Sequence, residues 1–307
     1  MAEPAREFTA MDDVVLPFQV ADTAVRGRVV RLAGAIDDIL SAHGFPEPLS
    51  ELLGEAVSLV AMMGASLKFD GKLIFQAQGN GPVSLIVADY TAGGNLRATA
   101  KTSAENLPRG ARPLLGDGSI VMTIDQGPDM DRYQGVTPLE GESLAEVAAA
   151  YFAQSEQIPT IVKLSVGRIH IPGKGEHWRA GGLMAQFVPQ EGGERGVVSA
   201  LAGEDRETWE RAQAFIETVQ PDELLDPLIS AETLLYRLFH EDGVRVFDAS
   251  PLRAACSCND EKISAVLSRY SEDGLRDMVE DGAITVTCEF CRKDYRFSPE
   301  GAPLTGE

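Results

Sequence analysis

The chain has 307 residues, long enough for one large domain and a small one, and its 44% hydrophobic and 24% charged content is that of a globular protein, which excludes a fibrous or largely disordered chain. With 47 acidic against 27 basic residues the formal charge is -20, which disfavours nucleic acid and anionic membranes as partners.

In chain order, Met1 to Phe18 carry Glu3, Glu7, Asp12 and Asp13 and no basic segment ahead of an apolar one. No secretory signal is read there, and a reducing cytoplasm is the expectation. From Ala24 to His43, Val25, Val29, Leu32, Ile36 and Leu40 recur at spacings of four, three, four and four, which predicts one amphipathic helix. A second helix is expected from Ser50 as N-cap, with Leu52, Leu53, Ala56, Val57, Leu59, Val60, Met62 and Met63 on nearly all its faces, so it must be buried. Gly54, Glu55 and Ser58 interrupt this run, which falls short of the roughly 20 residues that span a bilayer. Leu73 to Gln78, Val83 to Tyr90 and Leu96 to Ala100, with Ala92-Gly93-Gly94-Asn95 as turn chemistry, predict a strand meander. Further strands fit Ser119 to Asp125, Tyr133 to Pro138, Thr160 to Val166 and Leu183 to Val188. Ser143 to Ser155 reads as a helix capped by Ser143 with Glu146 three residues on. Strands and helices come in runs, which favours an α+β fold for a core domain at 1–190.

Beyond Pro189 the stretch Gln190 to Gly196 is rich in Glu and Gly, and helices are predicted at Asp205 to Val219 and Ala231 to Glu241, separated by Pro221 and Pro227. We read 191–255 as a helical linker. Its apolar positions, including Trp209, Phe215, Leu235 and Phe239, need a partner surface, and the preceding domain is the nearest one. The last unit, 256–307, offers helices at Glu261 to Tyr270 and Glu272 to Glu280 and a strand at Ile284 to Thr287. It has too few apolar residues to hold a fold by burial alone, so a staple is expected.

The four cysteines supply one. Cys256-Ser257-Cys258 and Cys288-Glu289-Phe290-Cys291 stand 29 residues apart, and the first 255 residues contain none. In a reducing compartment two short-spaced pairs favour a metal site over a disulfide framework, and zinc takes four tetrahedral thiolates. Metal-bound thiolates are also the nucleophilic form of cysteine, so an oxidant reaching them can eject the metal. Around them stand six basic and eleven acidic residues, which makes a phosphate-binding ribbon unattractive. A disulfide-exchange enzyme would want its Cys-x-x-Cys at a helix N-terminus, whereas Arg292 to Phe297 leads into another extended segment. Gly173-Lys174-Gly175 lacks P-loop spacing, no Gly-x-Ser-x-Gly elbow occurs, and His43, His170, His177 and His240 are scattered, so no catalytic site is read. Asp125, Asp129 and Asp131 lack the spacing of a calcium loop and read as a solvated turn.

Cys-x-Cys, 29 residues, then Cys-x-x-Cys followed by Tyr295-Arg296-Phe297 resembles the redox-regulated 33-kilodalton heat-shock chaperones of bacteria. The resemblance extends to Leu67-Lys68-Phe69-Asp70-Gly71, Gln78-Gly79-Asn80-Gly81-Pro82, Tyr133-Gln134-Gly135, Tyr151 with Ser155-Glu156-Gln157, Ala180-Gly181-Gly182 and Leu234 to Glu241, and so covers nearly the whole chain. Asn259-Asp260-Glu261-Lys262 after Cys258 and a somewhat extended N-terminus depart from the family pattern without touching a cysteine. The resemblance implies two sheets around buried helices, one zinc per chain on Cys256, Cys258, Cys288 and Cys291, and an ATP-independent holdase for unfolding proteins rather than an enzyme. It implies activation by oxidation with zinc release, disulfides Cys256 with Cys258 and Cys288 with Cys291, a homodimer when oxidised, and linker residues Trp209, Phe215, Leu235 and Phe239 freed to meet clients. A static zinc-bearing interaction protein and a thiol-disulfide exchange enzyme are the alternatives.

Overall fold

The computed structural model describes residues 12–67, 70–127, 130–171, 173, 175–188 and 203–304. The Glu- and Gly-rich stretch 190–196, Asp129 and the Lys68-Phe69 part of the family motif lie outside these. By contacts the chain divides into two compact units, Met1–Ala254 and Ala255–Glu307. The fold is α+β.

The first unit is built on two sheets. One takes β1 (Val14–Val20), β2 (Val25–Leu32), β8 (Thr160–Ile171) and β9 (Gly175–Phe187), with β10 (Val244–Val246) and β11 (Ser250–Pro251) both beside β1. The other runs β12-β5-β4-β3-β6-β7, from β3 (Lys72–Gly79), β4 (Val83–Thr91), β5 (Asn95–Thr102), β6 (Gly118–Asp125), β7 (Tyr133–Pro138) and β12 (Arg253–Ala254). Its β3-β4-β5 meander is antiparallel as the turn chemistry predicts, and β12 joins β5 in parallel. Between the sheets lies α2 (Glu47–Gly64), touching β2, β8 and β9 on one side and β3, β4 and β5 on the other. Thirteen of its residues are buried, which is why its apolar side chains sit on nearly all faces.

Two helix starts differ from expectation for physical reasons. The predicted helix at Ala24 to His43 is β2 followed by α1 (Gly34–His43). Strand β2 is covered on both faces: Val30 and Leu32 join the core around α2, while Val25 and Val29 join a second core on the other side. The two-residue alternation holds from Val25 to Val29 but is lost from Val29 to Leu32, where every residue is buried, and the valines then mimic a helical stripe. Helix α2 starts earlier than Ser50, because Pro46 supplies the N-cap backbone and Ser50, one turn in, donates instead to the Phe45 carbonyl at 3.2 Å. Ser143 does cap its helix, α4 (Leu144–Tyr151), accepting from the Glu146 amide at 3.3 Å, and a π-helical turn continues it over Phe152–Glu156.

The outer face of the first sheet is covered by α5 (Glu204–Glu217), α6 (Pro221–Leu225) and α7 (Ala231–Phe239). Trp209, Leu235 and Phe239 are buried there against Leu16, Phe18, Val25, Val29 and Phe187, with Phe215 half-buried beside them. Helix α6, which the prolines around it hide in the sequence, comes closest to the sheet: a Cβ on Gly181 would lie 2.3 Å from the Leu224 carbonyl oxygen. Two buried arginines grip the end of this helix. Arg179 donates to the Leu225 carbonyl at 2.9 Å, Arg31 donates to the carbonyls of Glu223 and Asp226, and Asp12 pairs with both guanidinium groups. Cations at the negative end of a helix satisfy its last carbonyls.

The second unit comprises α8 (Asp260–Leu267), α9 (Glu272–Arg276) and a sheet of β13 (Val279–Glu280), β14 (Ala283–Thr287) and β15 (Asp294–Phe297). Both helices are shorter than expected. The predicted helix to Glu280 ends at Arg276 because Asp281 and Gly282, at φ 48° and 78°, form a two-residue turn that pairs Val279 and Glu280 with Ile284 and Ala283.

Candidate metal centre

Each cysteine pair sits on a short loop of the second unit. Cys256 and Cys258 precede α8, whose N-cap Asn259 accepts from the Lys262 amide at 2.9 Å and so fixes where the loop ends. Cys288 and Cys291 occupy the turn between β14 and β15. That turn is closed by the Cys288 amide on the Lys293 carbonyl and the Arg292 amide on the Cys288 carbonyl, both at 2.9 Å, with Arg292 left-handed at φ 59°. Sequence placed all four as ligands of one site, and the fold brings all four together.

Their Sγ atoms lie within 4.8 Å of one another, with Cys256 to Cys288 at 3.7 Å and Cys258 to Cys291 at 3.4 Å. Four sulfurs held tetrahedrally at about 2.3 Å from zinc stand about 3.8 Å apart, so the cluster has the size of a zinc cage. Among the described residues no other group of His, Cys, Asp or Glu has metal-ligand spacing. Burial pushes the Cys291 thiol up to about 12, with the sulfurs of Cys258 and Cys288 adding to the rise, while the Lys293 amide opposes it. Four thiols this close cannot all ionise without a cation among them, and a dication answers that demand. The donor set, all sulfur and half-buried, fits zinc: it would be held by Cys256, Cys258, Cys288 and Cys291 and would keep all four as thiolates.

The rest of the unit leans on this site. Its core has five buried side chains, Leu267, Leu275, Ile284, Tyr295 and Phe297, with Cys258 and Cys288 packed against them. Tyr295 joins core to cluster, its hydroxyl 3.0 Å from Cys258 Sγ. The sulfur neighbours, Cys258 first, raise the Tyr295 hydroxyl above its ordinary value.

The expected client-contact residues lie elsewhere. Trp209, Leu235 and Phe239 are no more than 5% exposed, so in this state they face the first sheet and not solvent. His240 is exposed at the end of α7 and stands near the Tyr236 ring. Asp125, expected in a solvated turn, is instead the last residue of β6, half-buried and bound by Arg132 at 3.1 Å. The Arg31, Arg179 and Asp12 group has no signal in the sequence, because Arg26 and Arg28 stand in the same strand as Arg31 and only the fold shows that Arg31 and Arg179 are buried.

Comparison with known proteins places the chain in a family. The family model of the Hsp33 protein matches residues 13–298. A 33 kDa chaperonin of Caulobacter vibrioides is 48% identical over 98% of this chain and all of its own, and one of Azotobacter vinelandii is 36% identical over 93% of this chain and 91% of its own. The fold matches a crystal structure titled 33 kDa chaperonin, a heat shock protein 33 homolog from Thermotoga maritima, with TM-score 0.78 and 24% identity over 94% of this chain and 96% of that one.

Proposed function

Since the chain belongs to the Hsp33 family of chaperones, we propose that it is a redox-regulated, ATP-independent holdase that protects unfolding proteins from aggregation, acting in the cytoplasm rather than as an enzyme. The observation that carries this reading is the four-cysteine cage closing a module with five buried core residues. Such a module owes its folding free energy to the metal, so losing the metal unfolds it. The compartment assignment accords with the fact that, among the described residues, no helix is long and apolar enough to cross a membrane.

Zinc, one per chain in the reduced state, would supply the positive charge that holds four thiolates together. Once an oxidant consumes thiolates, the remaining sulfurs are too few to keep it. Membership of the family implies that the pairs then close as near neighbours, Cys256 with Cys258 and Cys288 with Cys291. Release of the module loosens the linker, 191–255, and with it the cover over the first sheet. The apolar faces of Trp209, Phe215, Leu235 and Phe239 then become available to clients, and in the oxidised protein also to a second copy of the chain, giving a homodimer.

The test is zinc content and aggregation suppression measured on the same samples, reduced and oxidised. The reduced protein should carry one zinc and suppress aggregation poorly; peroxide with mild heat should release the zinc and raise suppression. Cys288→Ser should lose high-affinity zinc. Peptide mapping of the oxidised form should find the two nearest-neighbour disulfides. A reduced protein without zinc, or one equally active in both states, would leave a static interaction protein; turnover of a small dithiol would indicate an exchange enzyme.

A further inference from the structure

The redox reading gives the Tyr295 hydroxyl no task, and its placement asks for one. The ring fills the module core at 6% exposure, beside Phe297, which fills the same core without a hydroxyl. Both project from one face of β15, with Val286 and Ile284 of β14 opposite them. The hydroxyl leaves this apolar setting to meet Cys258 Sγ at 3.0 Å, while the Cys258 carbonyl stands farther off at 3.4 Å. A metal-bound thiolate has no proton to give, so with the site loaded the phenol would be the donor across this shorter contact. Lys293 Nζ lies 5.0 Å from the ring centroid, and a cation over the ring draws electrons from it and makes the hydroxyl a stronger donor.

We propose that Tyr295 is a positioning residue that restrains the Cys258 thiolate through this O–H···S hydrogen bond, so that the sulfur's reactivity depends on intact packing of the module. The proposal rests on the redox reading of the site. A hydrogen bond to sulfur withdraws electron density from the atom that attacks the oxidant, as partners of a metal ligand generally tune it. Because the ring is a core residue, whatever loosens the core carries the hydroxyl away from the sulfur. The freed Cys258 thiolate attacks one oxygen of a peroxide; the S–O bond forms as the O–O bond breaks, leaving a sulfenic acid and a hydroxide. The Cys256 thiolate then displaces hydroxide from that sulfur and closes the S–S bond. Two electrons pass from the sulfurs to the peroxide, and the two hydroxides take up two protons to become water.

Tyr295→Phe keeps the ring and removes the donor. In the zinc-loaded full chain at room temperature, peroxide-driven zinc release, followed with a chromogenic chelator, should run about three- to tenfold faster than in the wild type, the range one hydrogen bond commands. Heating should accelerate the variant less than the wild type. Cobalt-loaded protein gives a spectroscopic readout that a change in stability does not move: without the donor, the sulfur-to-cobalt charge-transfer band should shift to lower energy. Phe297→Leu makes the same core open more often, so it should speed release, but the folded majority keeps the hydroxyl on the sulfur and the band stays in place. Equal release rates for Tyr295→Phe and wild type, an unchanged band, the same band shift in Phe297→Leu, or a Tyr295→Phe protein that cannot load metal would each overturn the positioning role. A wild type that keeps its zinc under peroxide would overturn the redox reading instead, while the cobalt band still reports the hydrogen bond.

Discussion

Glu55 is a carboxyl group on the helix that both sheets cover, and its ionisation sets a pH dependence that the metal centre does not. Burial raises it from 4.5 to about 7, and Glu51 one turn away adds to the rise. A carboxyl whose folded value lies above its unfolded value binds more protons folded than unfolded, so stability falls as pH rises from 4.5 to about 7 and is level beyond. The cost above that window is no more than about 3 kcal/mol. Glu55→Gln should therefore stabilise the first unit at pH 8 and flatten its stability profile, as urea unfolding at several pH values would record. A profile unchanged by the substitution would mean that Glu55 stays solvated. Single residues were legible in the sequence where chemistry depends on spacing along the chain, as for the cysteines. Tyr295 was legible only as part of a motif, because its contact with Cys258 crosses from one loop to a strand 37 residues away, and only the fold makes that crossing.

Among elements, α6 is where the linker touches the sheet most intimately, and small changes beneath it should lift it. Gly181→Ala would drive a methyl group into the Leu224 carbonyl, and overpacking of this kind costs about 1 to 3 kcal/mol. The reduced, zinc-loaded variant should then show faster hydrogen exchange across α6 and measurable aggregation suppression without oxidant. Arg179→Met should act in the same direction by stripping the Leu225 carbonyl and one partner of Asp12. Exchange unchanged in both variants would deny α6 any part in holding the linker down. Amphipathic elements that face one core, such as α7, were legible from their apolar spacing. Strand β2 was not, because burial on both faces erases its period from Val29 to Leu32, and β10, β11 and β12 are too short, at two or three residues, to carry a pattern.

At the scale of the whole molecule the two units differ in what keeps them folded. The first buries α2 between two sheets, whereas the second relies on five core residues and its cysteines. Heat should open the second unit first, and peroxide with heat should activate faster than peroxide alone, with far-ultraviolet circular dichroism showing that the first unit persists. Equal rates with and without heat, or loss of the first unit's secondary structure on activation, would return the cysteine site to a purely structural role. The α+β class could be read from the order of runs along the chain; the return of the linker to both sheets could not, since that depends on pairings across more than 150 residues. That return has a mechanical consequence. The chain leaves the first sheet at Phe187 and re-enters the same sheet at Val244, so α5 to α7 form a loop tethered at both ends and not a free tail. An undocked loop of this kind gains less disorder than a tail of equal length and stays at high effective concentration over its own seat. Re-covering is therefore a unimolecular collapse, and anything that came to sit on the exposed face would compete with a tethered lid.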